Sequence, residues 1–167
     1  MRKLTRLVIH CSATPNGRHH TVEDIDLWHR ANKWFRNSAA AKECGNPQLT
    51  SVGYHRIIYT DGLRVQGRCF QEVPVSVRGW NSDSVALCMI GTNKFTQAQW
   101  DSLKLEVLFL ASELGIQTIQ GHRDLSPDKD GDGVLEKHEW LKDCPGFDVA
   151  EWIKNGYTPN KLNVLKK

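Results

Sequence analysis

Leu7-Val8-Ile9-His10-Cys11-Ser12-Ala13-Thr14-Pro15-Asn16-Gly17 begins with three aliphatic residues, runs straight into a histidine and then into turn formers. An aliphatic run bounded in this way reads as a buried strand, so His10 stands at a strand's C-terminal end. Downstream, Thr21 is an N-cap with Glu23, Asp24 and Asp26 in the first turns. Ile25, Trp28, Ala31 and Trp34 or Phe35 share one face, which predicts a helix over about 22–35. Residues 37–51 have no clear period and read as an insertion loop with room for a short helical turn. Val52 to Tyr59 is β-branched and aromatic and ends in the hairpin signal Thr60-Asp61-Gly62 before Leu63-Arg64-Val65. Tyr54 and His55 must then face opposite sides of that strand.

Val85 to Ile90 forms a further apolar strand. Thr96-x-x-Gln99 is a capping box opening a helix that carries Trp100, Leu103, Val107, Leu110 and Leu114 and closes at Gly115. A strand from Gln117 to Gln120 leads into Gly121-His122. This order predicts an α/β fold: one domain over residues 1–167, with a central mixed β-sheet of about five strands flanked by helices. In such sheets sites gather at strand ends, and His10 and His122 both follow predicted strands.

Composition narrows the function classes. A length of 167 residues suits one domain, and 40% hydrophobic with 25% charged residues is globular, not disordered. The net charge of +3 is small and dispersed, which argues against nucleic acid as a partner. The run Val107-Leu108-Phe109-Leu110-Ala111 is far shorter than the ~18 apolar residues of a membrane span, so no membrane insertion is expected. The first twelve residues lack the apolar core of a secretory signal, so cytoplasmic synthesis without a signal peptide is expected, and the chain is expected to be a monomer. Five cysteines, Cys11, Cys44, Cys69, Cys88 and Cys144, are an odd number without C-x-x-C spacing. That excludes a complete disulfide framework, and reduced thiols are the default expectation.

Among the seven histidines, His10 and His122 combine with Cys144 into a candidate metal set, because a catalytic zinc commonly takes three nitrogen, sulfur or oxygen ligands and keeps one open position. Taken singly, each has an ordinary explanation, since cysteine is often buried without function and strand-end histidines usually only pack. The combination is more telling. Leu7–Thr14, Gly53-Tyr54-His55, Arg78-Gly79-Trp80-Asn81-Ser82-Asp83-Ser84-Val85, Gly121-His122-Arg123-Asp124 and Lys142-Asp143-Cys144-Pro145-Gly146-Phe147-Asp148 together resemble the zinc-dependent N-acetylmuramoyl-L-alanine amidases of the phage-lysozyme and peptidoglycan-recognition-protein type. The resemblance covers roughly residues 5–153.

The resemblance implies that His10, His122 and Cys144 hold zinc, that Tyr54 and Lys142 are catalytic, and that Trp80 and Asn81 contact a peptidoglycan substrate. Amide hydrolysis needs a nucleophile at neutral pH and a stabilised oxyanion, and zinc serves both ends. No H-E-x-x-H glutamate is present, so Tyr54 is expected to orient or deprotonate the attacking water, and Lys142 to stabilise the oxyanion and help protonate the leaving amine. His29, His55 and His138 are expected to be bystanders, and Trp34, Trp100, Trp140 and Trp152 core residues. The implied activity is cleavage between N-acetylmuramic acid and L-alanine by an endolysin that acts on the wall after release. The competing reading is a non-catalytic peptidoglycan-binding module of the same fold, which typically lacks the cysteine ligand.

A separate signal lies at residues 128–139, which fit the calcium-loop template D-x-D-x-D-G-x5-E. Asp128, Asp130, Asp132, the Val134 carbonyl and Glu139 are its expected ligands, and a structural calcium joining the His122 and Cys144 segments is the expectation. Ser126-Pro127 before it leaves no entering helix.

Overall fold

The computed structural model describes residues 2–166. In chain order it contains β1 (Arg6–Cys11), α1 (Val22–Ala31), α2 (Ser38–Glu43), β2 (Arg56–Ile58), β3 (Arg64–Gln66), β4 (Ser84–Met89), α3 (Gln97–Leu114), β5 (Thr118–Gly121) and α4 (Val149–Lys154). The strands form one mixed sheet in the order β3-β2-β4-β1-β5, with β3 antiparallel at one edge and the other pairings parallel.

The central strands β1 and β4 read as continuous apolar runs because both faces of the sheet are covered. Leu7, Ile9, Val85 and Leu87 pack with Trp100, Leu103 and Val107 of α3 and with Val149 and Trp152 of α4. On the other face Ile57, Cys88 and Ile90 meet Val22 and Ile25 of α1. The period-2 alternation of strand side chains thus divides one sheet between two apolar layers. The expected N-cap at Thr21 forms and closes a capping box with Asp24, the expected box at Thr96/Gln99 forms too, and α3 ends on Gly115 at φ 63°. Trp100 and Trp152 are core residues, as expected.

Three local expectations need correction. First, α1 stops at Ala31 because Lys33 turns into the left-handed region at φ 60°. Its buried face is Val22, Ile25, Asp26 and His29, not the expected Trp28 and Ala31. Asp26 and His29 are buried because they serve the backbone: Asp26 accepts the amides of Ser51 and Val52, and His29 Nδ1 accepts that of Gly53 at 2.8 Å. Second, the strand expected from Val52 shrinks to β2, since residues 52–54 leave the sheet for those bonds with α1. Third, reduced thiols are not general, because Cys44 and Cys69 form a disulfide. It joins the end of α2, in the insertion, to the segment after β3; Cys11, Cys88 and Cys144 are free and buried.

Candidate metal centre

The centre begins with sheet register. Ile9 of β1 pairs with Gly121 of β5, so His10 and His122 emerge at one level from the C-terminal ends of neighbouring parallel strands. Cys144 arrives from a loop, and its Sγ accepts the Cys11 amide at 3.3 Å and lies 3.8 Å from His10 Nδ1. One donor atom from each of His10, His122 and Cys144 lies within 4.8 Å of the others. His10 Nε2 is buried with no hydrogen-bond partner. A buried imidazole left unsatisfied by protein, beside a second imidazole and a thiol, is a donor set that fits zinc.

Electrostatics keeps these groups neutral. Burial holds the His10 imidazolium well below its ordinary range, and the neighbouring His122, Lys142 and His29 push the same way. His122 is lowered to about 4 by burial and by the charge of Lys142. A hydrogen bond shared with Cys11, together with burial, raises the Cys144 thiol. Neutral imidazoles offer free lone pairs, whereas a thiolate in this setting needs a cation beside it.

Around the trio is a cavity of about 400 Å³ lined also by Ser12, Ala13, Trp34, Tyr54, Ser76 and Lys142. The Tyr54 ring lies 5.2 Å from that of His10 and 5.1 Å from that of His29. Burial raises the Tyr54 phenol well above its ordinary range, with the nearby thiols adding to the shift, so it stands as a neutral O–H. His55 points to the other side: its Nδ1 accepts the Ala86 amide, its Nε2 faces the Glu72 carbonyl at 3.0 Å, and it is fully buried.

A family model described as N-acetylmuramoyl-L-alanine amidase matches residues 1–147. The chain belongs to that amidase family. An uncharacterized protein of Haemophilus influenzae is 40% identical over 115 residues, which are 64% of this chain and 99% of that protein. The endolysin of Enterobacteria phage K11 is 28% identical over 163 residues, 93% of this chain and 89% of the endolysin. Among solved structures, the amidase LysC from Clostridium intestinale URNW matches with a TM-score of 0.67 at 23% identity, covering 98% of this chain and 88% of that one, a likeness of fold.

Within this amidase-family chain, His10, His122, Cys144, Tyr54 and Lys142 come together, and other expected site residues do not. Trp80 and Asn81 are absent from the cavity lining. The Trp80 ring stacks on Arg6 at the opposite end of β1 from His10. Asn81 Oδ1 accepts the amides of Ser76 and Val77 and the Ser76 hydroxyl, so it holds the cavity wall from behind.

A calcium ion at residues 128–139 is likewise unsupported. Among the expected carboxylate ligands, Asp128, Asp130 and Glu139 come within 4.8 Å of one another, without Asp132. Asp128 instead accepts the amides of Gly131 and Gly133, and Glu139 accepts those of Lys129 and Glu136. The carboxylates thus organise the loop's own backbone.

Sequence reasoning also missed two contributors. His29 braces the Gly53-Tyr54 backbone. Trp34, expected in the core, lies on the cavity wall with its ring 4.8 Å from that of His29. The i, i+3, i+4, i+7 spacing of Val22, Ile25, Asp26 and His29 was the available signal, hidden because two of the four are polar. No helix among the described residues is long and apolar enough to cross a membrane.

Proposed function

We propose that this chain is a zinc-dependent N-acetylmuramoyl-L-alanine amidase, cleaving the amide between the lactyl group of N-acetylmuramic acid and the first L-alanine of the stem peptide. Family membership supplies the reaction class. The observation that carries the zinc dependence is the convergence of two imidazoles and a thiol at the floor of the cavity. His10, His122 and Cys144 would hold the ion. When bound, zinc supplies Lewis acidity that polarises the scissile carbonyl and makes water nucleophilic at neutral pH.

The remaining steps belong to the chain's own groups. Lys142 brings a positive charge to the cavity lining, where it opposes the negative charge developing on the carbonyl oxygen and can deliver a proton to the departing alanine nitrogen. Tyr54 holds the attacking water by its hydroxyl, in a backbone position fixed by the bond from Gly53 to His29. Trp34 and Ser76 give the cavity wall one aromatic and one polar surface for a substrate that is part sugar and part peptide. The presence of Cys144 favours turnover over simple binding. Likeness to the K11 endolysin supports a lytic role in which the protein meets the wall after release from the cell that made it.

The test is digestion of purified peptidoglycan by the protein, with and without a zinc chelator, followed by mass analysis. Release of stem peptides with a free alanine amine, abolished by chelator and restored by zinc, is the expected outcome. Peptide release that ignores the chelator would refute the zinc dependence; no release by zinc-loaded protein would refute the activity.

A further inference from the structure

Two of the three candidate ligands are placed by the sheet, since His10 lies in β1 and His122 directly follows β5. Cys144 lies on no strand; its Sγ takes the Cys11 amide of β1, but its backbone belongs to a loop. It lies at the end of a long excursion that leaves the site after Ser126 and returns at Leu141. That one bond to sulfur does not place the returning backbone, and the residue next to His122 contacts every segment involved.

Arg123 is 9% exposed. Its backbone amide donates to the Cys144 carbonyl at 2.8 Å. Its guanidinium reaches Asp143 at 3.4 Å, Asp148 at 3.3 Å and Asp124 at 3.7 Å, and its Cζ sits 4.2 Å from the centroid of the Trp140 ring. These partners belong to different parts of the chain. Asp124 lies in the turn that carries His122, and Asp143 stands between Lys142 and Cys144. Asp148 is the N-cap of α4, and Trp140 closes the acidic loop.

Asp143 and Asp148 side chains are about half exposed, so each ion pair alone is weak. One planar fork that meets three carboxylates while stacking on an indole is a different matter, because a single ordered side chain fixes several segments at once. The Leu141 amide also donates to Ser126 Oγ at 3.1 Å, so the loop is pinched at its base. No residue of the acidic stretch 128–139 lines the cavity.

We propose that Arg123 is the positioning residue of this centre: it clamps the segment carrying Lys142 and Cys144 against the turn carrying His122, and so isolates the ligands from the acidic loop between them. The inference rests on the reading of His10, His122 and Cys144 as a zinc site. Arg123 touches neither substrate nor metal; it acts through Asp143 and the Cys144 backbone.

The experiment compares the full chain with R123K and R123A. Zinc affinity is measured by competition with a chromophoric chelator, the thiolate-to-metal band is recorded on cobalt(II) substitution, and kcat and KM are determined at saturating zinc. Lysine keeps the charge but not the fork, so R123K should bind zinc about 10–100-fold more weakly, the range known for residues that orient ligands. R123A should lose at least as much. R123K should remain folded by circular dichroism, and its cobalt band should shift or weaken. At saturating zinc kcat should fall while KM stays near the parent value, because Lys142 moves with the clamp. Zinc binding as tight as the parent's in R123K would overturn the proposal. So would an affinity loss that merely tracks the unfolded fraction. A parent protein that binds no stoichiometric zinc would instead remove the metal site itself, a failure visible before any variant is made.

Discussion

Reducing the Cys44–Cys69 bridge should destabilise the protein without disassembling its site. The bridge closes a loop with a sequence separation of 25. In the chain-entropy model a loop of that size loses about 3.5 kcal/mol of unfolded-state entropy at 25 °C. The folded state is independently held at the same place. Arg36 makes a two-pronged pair with Glu72 at 2.6 and 2.7 Å, the Cys69 amide donates to Glu72 at 2.9 Å, and Asn46 Nδ2 donates to the Gly67 carbonyl at 2.7 Å. These bonds survive reduction, so the loss should come mostly through the unfolded chain, at about 3 kcal/mol. Urea unfolding followed by tryptophan fluorescence measures it, on oxidised protein, on protein reduced with a phosphine that spares bound metal, and on the C44S/C69S double variant. Alkylation in denaturant should mark three thiols before reduction and five after, since two of the five cysteines are bridged. Five thiols in protein purified from an oxidising medium, or coincident unfolding curves, would refute the reasoning.

Three other perturbations follow from the same structure. Burial lowers His55 to about 3 from an ordinary 6.5, against a backbone bond to Glu72 that pulls the other way. The unfolded chain therefore takes up a proton below about pH 6.5 that the folded chain refuses until about pH 3. Stability is full above that window and falls through it on acidification, by up to about 1.4 kcal/mol per pH unit. His29, lowered to about 4 chiefly by burial, adds a contribution of the same sign. Denaturant titrations at pH 7, 6 and 5 should show the decline, and a flat profile would contradict it. Tyr54→Phe should reduce kcat by roughly 10²-fold or more while zinc stoichiometry is unchanged, because only the hydroxyl is removed; full turnover in that variant removes Tyr54 from the chemistry. Gly146→Ala places a Cβ against the Thr92 carbonyl oxygen at a φ of 84°, where side chains are strained. It should cost about 2 kcal/mol or more in a thermal or urea melt, and a melt matching the parent's would show that the Cys144-Pro145-Gly146 turn yields freely.

What could be read from the sequence was what local rules determine. The aliphatic run of β1, the apolar β4 and both boundaries of α3 follow from residues next to one another, and each appears where expected. Long-range bonds between side chain and backbone could not be read that way. Asp26 and His29 look like surface positions on α1 until the amides of residues 51–53 arrive from another part of the chain. Cys44 and Cys69 carry no spacing signal, because their meeting depends on how the insertion folds back over β3. Residues 128–139 are ambiguous for a related reason: the carboxylates that suit a cation equally suit the amides of a glycine-rich loop, and spacing does not distinguish these uses. Asn81, in the stretch Arg78 to Val85, holds Ser76 and Val77 by side-chain bonds of the same kind, which similarity alone does not reveal.

The contrast between ladder-held and clamp-held groups explains how a small sheet brings together chemistry from positions 10, 54, 122 and 144. Parallel pairing of β1 with β5 makes the two imidazoles coincide, because register alone places Gly121 beside Ile9. The other groups cannot come from the ladder, whose next strand, β4, is apolar from Val85 to Met89 and offers only Cys88 near the site. The chain therefore leaves the sheet twice. It does so before β2, where Asp26 and His29 hold the departing backbone so that Tyr54 faces the cavity, and after β5, where Arg123 holds the returning one so that Lys142 and Cys144 do. At the first departure the side chains of Asp26 and His29 take up the free amides of residues 51–53; at the second the Arg123 backbone amide bonds the Cys144 carbonyl while its side chain ties Asp143 and Asp148. Buried Asp26, His29 and Arg123, far from being faults in the core, are what carries the order of the sheet out to the groups beyond its edge.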